Sequence, residues 1–260
     1  MKYWEVKMAA AKVGELLLYG SISNDQFWGD EITPKQIDAE LKALGELDTL
    51  NVRINSPGGN VFAAQAIYSI IKRHPAATKN AYIDGLAASA ATIVPYACDK
   101  VFAYSNAMMM IHKPFASVYG NADLMRQRAD VLDKVEDTIV DGYEGKCKQP
   151  RDSIKAMLAA ETWMTAKEAK DMGFIDEIEE GMQVAASLEG DVFVCGSVRV
   201  DLTKFKATDK LKEVYREAVK TPEPVADSDP SPDPELTKRL AAQAADCHRL
   251  RLKLYDMEES

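Results

Sequence analysis

From residue 1 to about 180 the chain switches repeatedly between two hydrophobic periods, and no other feature restricts its fold as much. Residues 50–55 (LNVRIN) alternate apolar and polar side chains, the pattern of a strand. Residues 61–73 instead set Val61, Ala64, Ile67, Ile70 and Ile71 on one helical stripe. Residues 15–21 form a Leu-rich run ended by Gly20. Thr33 is suited to cap a helix that Pro34 begins and Gln36 locks as a capping box, with Ile37, Leu41, Leu44 and Leu47 following at helical spacing. A strand over 78–83, an apolar helix from about 89 to 97 and a strand around 100–104 continue the series. Such alternation predicts an α/β fold with parallel strands and crossover helices.

Residues 121 to about 146 read as a long helix, apolar at Leu124, Val131, Val135, Ile139 and Tyr143. It either lies on its own core or pairs with another subunit, and spacing alone does not separate the two. Beyond 181 the pattern changes. Val192 and Val194, then Val198, Val200 and Leu202, alternate about Cys195, Gly196 and Ser197, as in a hairpin or small β-unit. A short helix over 209–220 should follow. Residues 221–234 (TPEPVADSDPSPDP) combine Pro with acids and hold no Lys or Arg, the composition of an extended linker. Leu236, Leu240, Gln243, Cys247, Leu250, Leu254 and Met257 then trace a heptad-like seam, so 235–260 should be an amphipathic helix. The expected organisation is a main domain over 1–180, a β-unit with a short helix over 181–220, a tether over 221–234 and a terminal helix.

Charge and composition narrow the function. A net charge of −9 argues against a surface built to neutralise nucleic-acid phosphates. The opening MKYWEVK lacks the apolar core of an export signal, and no stretch is long and apolar enough to span a membrane. The four cysteines have neither CxxC nor metal-ligand spacing. No phosphate-binding GxxxxGK[ST] occurs, so the chain encodes no ATPase of that kind. The expectation is an intracellular protein with reduced thiols, without metal, cofactor, nucleic acid or membrane partner.

Three segments could carry chemistry. Asn55-Ser56-Pro57-Gly58-Gly59 joins a strand to a helix, either as a plain turn or as a cradle of backbone N–H groups for an oxyanion. Ser89, in DGLAAS, would stand at a helix N-terminus, where a serine can cap without doing chemistry. His112 ends an apolar strand before Lys113 and Pro114, a position that suits a general base. Of the other two histidines, His74 fits a helix C-terminus and His248 lies beyond the tether.

INSPGG at 54–59, DGLAAS at 84–89 and MIHKP at 110–114 recur in this order and at similar spacing in Clp-type serine peptidases, which the chain resembles over roughly residues 15–180. VRINSPGGNVF, AIYSIIKRH, the AMMMIHKP run and ETWMTA at 161–166 with GFID at 173–176 look like the phage head-maturation (prohead protease) branch. The resemblance implies a spiral of βαβ units shared with crotonases, assembled as homo-oligomeric rings. It implies Ser89 as nucleophile, His112 as base, Glu161 as the triad acid where the family commonly has Asp, and Gly59 and Ala90 as oxyanion donors. Asp152 and Asp171 are nearby substitutes for Glu161 that do not match the pattern. The implied activity is serine endopeptidase cleavage of capsid, portal or scaffold polypeptides, in host cytoplasm or procapsid. Three other readings stand beside it: a housekeeping subunit working with a separate AAA+ unfoldase, a crotonase-type enzyme acting on CoA thioesters, and a non-catalytic assembly protein.

Overall fold

A computed structural model describes residues 4–218 apart from 11, 27–30 and 182–183. The tether expected at 221–234, the helix expected at 235–260 and His248 lie outside the described residues.

The expected α/β alternation forms one mostly parallel sheet. Strands β1 (Trp4–Ala10), β2 (Val13–Tyr19), β3 (Thr49–Ser56), β4 (Thr78–Ala88) and β5 (Lys100–Tyr104) lie side by side in that order. The β1–β2 pair is antiparallel and the pairs that follow are parallel. Strand β1, whose Trp4, Val6 and Met8 alternate with Glu5 and Lys7, was not among the expected elements and pairs with β2. Helix α1 (Pro34–Leu44) starts with the Thr33–Gln36 capping box and buries Ile37 and Leu41. Helix α2 (Val61–Arg73) buries Ala63, Ala64, Ile67, Ile70 and Ile71, and its Asn60 cap accepts from the Ala63 N–H.

Two expectations need correction at β4. The strand runs on through Ala88, so DGLAAS is mostly strand rather than a loop before a helix. The segment expected as one helix from 89 to 97 is two 3₁₀ turns, Ser89–Thr92 and Val94–Ala97. Pro95 explains the break, since it supplies no N–H and its ring obstructs a continuous α-helix.

Strand β6 (Met108–Ile111) pairs in parallel with the far half of β4, while β5 pairs with the near half. Helix α3 (Ala122–Glu144) buries Ile139, Val140 and Tyr143 near its end, whereas Val131, expected on the apolar stripe, is 45% exposed. Helix α4 (Arg151–Ala160), strand β7 (Thr162–Thr165), helix α5 (Ala166–Asp171) and strand β8 (Glu177–Glu179) complete the layer, with β7 antiparallel to β6 and β8 parallel to β5.

The hairpin expected about Cys195 belongs to a three-stranded sheet of β9 (Ala186–Glu189), β10 (Val192–Cys195) and β11 (Val198–Asp201). Helix α6 (Asp209–Ala218) follows it. Val184, Phe193, Cys195, Val198, Leu202 and Leu211 share one buried cluster with Leu86, Ala88, Met108, Met110 and Trp163 of the main layer. Asn55 Nδ2 donates to the Cys195 carbonyl at 2.8 Å and Asn106 Nδ2 to the Val184 carbonyl at 2.8 Å. The small sheet is therefore packed onto the C-terminal ends of β3 and β4 and onto β6.

A buried ion pair sits where β4 changes neighbours. Asp84 is fully buried and accepts from Arg53 Nε at 2.9 Å, Arg53 Nη2 at 2.7 Å and the Tyr19 hydroxyl at 2.6 Å. Burial and the adjacent carboxylate push the Tyr19 phenol above its usual range, which keeps it a donor. Replacing Asp84 with Ala leaves the mostly buried Arg53 charge only the more distant Glu15, 3.8 Å away, as its carboxylate and should cost about 3 kcal/mol in urea unfolding. A loss below about 1 kcal/mol would show that the pair does not hold the sheet here.

Candidate active site

The site forms at the end of β4. Parallel register sets Ala88 opposite Met110, so both strands finish together and the residues just past them meet. Ser89 Oγ and His112 Nε2 lie 2.6 Å apart. Ser89 adopts a left-handed φ of 54°, a conformation that costs energy in a residue with a Cβ. Its hydroxyl caps nothing: Ala88 occupies the cap position of the following turn and makes no side-chain bond there.

Neighbouring groups hold this backbone in place. Thr92 Oγ1 donates to the Ser89 carbonyl at 2.5 Å. The Thr92 proton being committed, the Tyr143 hydroxyl is the donor in its 2.6 Å contact with Thr92 Oγ1. On the other side, Gly58 has φ +90°, and a Cβ there would come within 2.5 Å of the Ala88 carbonyl and 2.8 Å of Ser89 Cβ. Only glycine lets the 58–59 turn lie this close to the serine.

Gly59 is constrained as tightly, for a Cβ on it would stand 2.1 Å from the Ile22 carbonyl. The Gly58 carbonyl accepts from the Ile22 N–H at 2.8 Å. In a trans peptide the carbonyl and the next N–H point in opposite directions, so the Gly59 N–H is turned away from Ile22. Ala90 is the second residue of its 3₁₀ turn, where N–H groups have no partner within the helix. Gly59 and Ala90 both line a cavity of about 260 Å³ together with Ser89, His112, Val61, Ile93, Pro114, Phe115, Ile139 and Tyr143. Its walls are mainly apolar, which suits an apolar side chain more than a charged one.

The His112 ring is half-buried between Phe115 and Phe205, with centroids at 5.5 Å and 6.0 Å. Burial pushes its pKa below the usual histidine range, and the charge of Glu161 pulls it partly back. The imidazole is therefore held neutral and able to accept a proton.

Glu161 follows α4 in a left-handed conformation, φ 55°. The antiparallel register pairs Ile111 with Thr162, and one residue further sets His112 across from Glu161. Its Oε1 accepts from the Lys206 N–H at 2.7 Å and the Ala207 N–H at 3.1 Å. Among the described residues, no hydrogen bond joins Glu161 to His112. Asp152 and Asp171 are exposed on α4 and α5. His74 caps the end of α2, its Nδ1 accepting from the Ala76 N–H at 3.2 Å.

Sequence reasoning missed Thr92, the Tyr143 hydroxyl and the 205–207 stretch, and it singled out the Gly58-Gly59 turn without its packing against Ser89. Tyr143 reads as an apolar helix position, and nothing local ties residues 205–207 to a glutamate 45 residues earlier. The free thiols of Cys98, Cys147 and Cys195 are buried. Burial pushes Cys98 and Cys195 up to about 12, so neither is a ready nucleophile. Among the described residues, no group of three or more His, Cys, Asp or Glu side chains could hold a metal ion, and no helix is long and apolar enough to cross a membrane.

The profile of the Clp protease family matches residues 14–182. The ATP-dependent Clp protease proteolytic subunit 1 of Chlamydia pneumoniae is 33% identical over 164 residues, 58% of this chain and 84% of that protein. Proteolytic subunit 2 of Thermobifida fusca is 32% identical over 157 residues, 55% of this chain and 77% of that protein. The proteolytic subunit of Porphyromonas gingivalis is 31% identical over 159 residues, 58% of this chain and 70% of that protein. A match that runs through the mostly parallel sheet from β2 to β8 and takes in the Ser89–His112 contact makes this chain a member of the Clp protease family, a serine-type peptidase.

Proposed function

We propose that Ser89, His112 and Glu161 act as the catalytic triad of an endopeptidase, with the Gly59 and Ala90 N–H groups as its oxyanion donors. The observation that carries this is the 2.6 Å Ser89–His112 contact at the wall of the cavity. His112 Nε2 takes the Ser89 Oγ proton as the oxygen attacks a peptide carbonyl. The same proton passes to the leaving amine, and an ester to Ser89 remains. Water, deprotonated by His112 in turn, then releases the acid and restores the serine. General base action of this kind is typically worth about 10²–10⁴ in rate, and each oxyanion donor about 3 kcal/mol of barrier. The Glu161 charge favours the imidazolium formed in both steps.

The substrates we propose are capsid-assembly polypeptides (capsid, portal or scaffold) cleaved by a homo-oligomeric ring during phage head maturation. Support comes from the motif texture and from the β9–β11 unit, which lies outside residues 14–182 shared with the family. A second reading, a housekeeping subunit fed by a separate AAA+ unfoldase, is favoured by the relatives, which are described as ATP-dependent proteolytic subunits. Co-expression with candidate capsid and portal proteins, followed by mass spectrometry, separates the two. Discrete cleavages that vanish with Ser89→Ala support the first. Degradation of folded proteins only with an unfoldase and ATP supports the second.

A fluorophosphonate probe should label the wild type, and Ser89→Ala should abolish labelling; an unlabelled, folded wild type would sink the triad. Because burial lowers the His112 pKa, the base stays neutral to lower pH than free imidazole. The acidic limb of kcat/KM should then have its midpoint below about 6.5. Glu161→Gln removes the charge that raises that pKa and should move the limb lower still, as a pH–rate profile would show.

A further inference from the structure

We infer that residues 205–207, in the connection from the small β-sheet to α6, are a positioning element of the active site. Phe205 walls the His112 ring, and the Lys206 and Ala207 N–H groups fix the Glu161 carboxylate. The inference rests on the triad reading above. This stretch lies outside residues 14–182, so it is an addition to the family-matched domain.

Two separate contacts reach the site from it. The Phe205 ring stands 6.0 Å from the His112 ring and 6.0 Å, edge to face, from buried Trp163. It thus closes one side of the imidazole with an apolar surface that is itself held from behind. Immediately after it, two consecutive N–H groups converge on Glu161 Oε1. A free glutamate side chain samples many rotamers, and two donors on one oxygen remove most of that freedom. Because His112 Nε2 faces Ser89, its proton sits on Nδ1 when it acts as base, and Glu161 Oε2 is the oxygen left to receive that Nδ1–H. The anchor is firm, since Leu202 is buried and accepts from the Phe205 N–H at 3.2 Å.

Lys206→Pro is the discriminating variant. It deletes the shorter N–H bond, and Phe205, at φ −119° and ψ 148°, already has the extended backbone that a following proline requires. On a small peptide substrate, kcat should fall about tenfold or more with KM little changed, and the acidic limb should shift. In a Glu161→Ala background the same substitution should change nothing further, because its effect runs through that carboxylate. An equal loss in both backgrounds, or an unchanged kcat, would overturn the proposal. Should Lys206→Pro fail to fold by circular dichroism, Phe205→Ala carries the test: it should lower kcat and shift the pH limb, with Phe205→Tyr restoring both. Loss of neither would be equally decisive against it. Fluorophosphonate labelling of wild type and of Ser89→Ala, run alongside, tells failure of the triad reading from failure of this one.

Discussion

Strand β4 has different neighbours along its two halves, and the site depends on that change. Residues 80–83 pair with β5, and residues 86–88 pair with β6. Asp84 and Gly85 occupy the switch. Asp84 is tied to Arg53 and Tyr19, while a Cβ on Gly85 would stand 2.3 Å from Cys195 Sγ. The switch brings β6, and not β5, to the end of β4. His112 follows β6 directly, so the strand exchange is what delivers the imidazole to Ser89.

The dyad then combines strain with burial. Ser89 sits in a left-handed conformation that its own Cβ disfavours, and the Thr92–Tyr143 relay and the Gly58 backbone keep it there. Tyr143 also lines the cavity, so one residue of α3 touches both the binding wall and the support of the serine. His112 is kept neutral by an apolar setting, with the Glu161 charge as the opposing influence. A lowered pKa keeps the imidazole unprotonated, and a nearby anion favours its cation.

Much of the architecture was legible. The Thr33–Gln36 box, the α2 stripe and the alternation of 50–55 are local patterns, and local patterns are what hydrogen-bond period and capping chemistry control. The run from 89 to 97 looked helical because it is apolar and rich in alanine, but Pro95 and the left-handed Ser89 divide it into two turns. Strand β1 was overlooked although Trp4, Val6 and Met8 alternate with Glu5 and Lys7. Among the proposed site residues, His112 stood out through the scarcity of histidines and both Ser89 and His112 through position, while Glu161 came only through family likeness. Its pinning by backbone N–H groups carries no side-chain signature and is invisible in a sequence.

The sequence by itself determined the elements with a clear period or cap, such as α1, α2 and β3, because periodicity and capping act over a few residues. It also supplied the ordered glycine, serine and histidine motifs by which the chain resembles Clp-type peptidases. Only the tertiary structure decided that β6 joins β4 beyond Asp84, that the small β-sheet lies against Asn55 and Gly85, and that residues 205–207 reach Glu161. Those outcomes come from packing between residues 22 to 140 positions apart. Contacts over such separations are set by shape and register in the folded state, which no local pattern encodes.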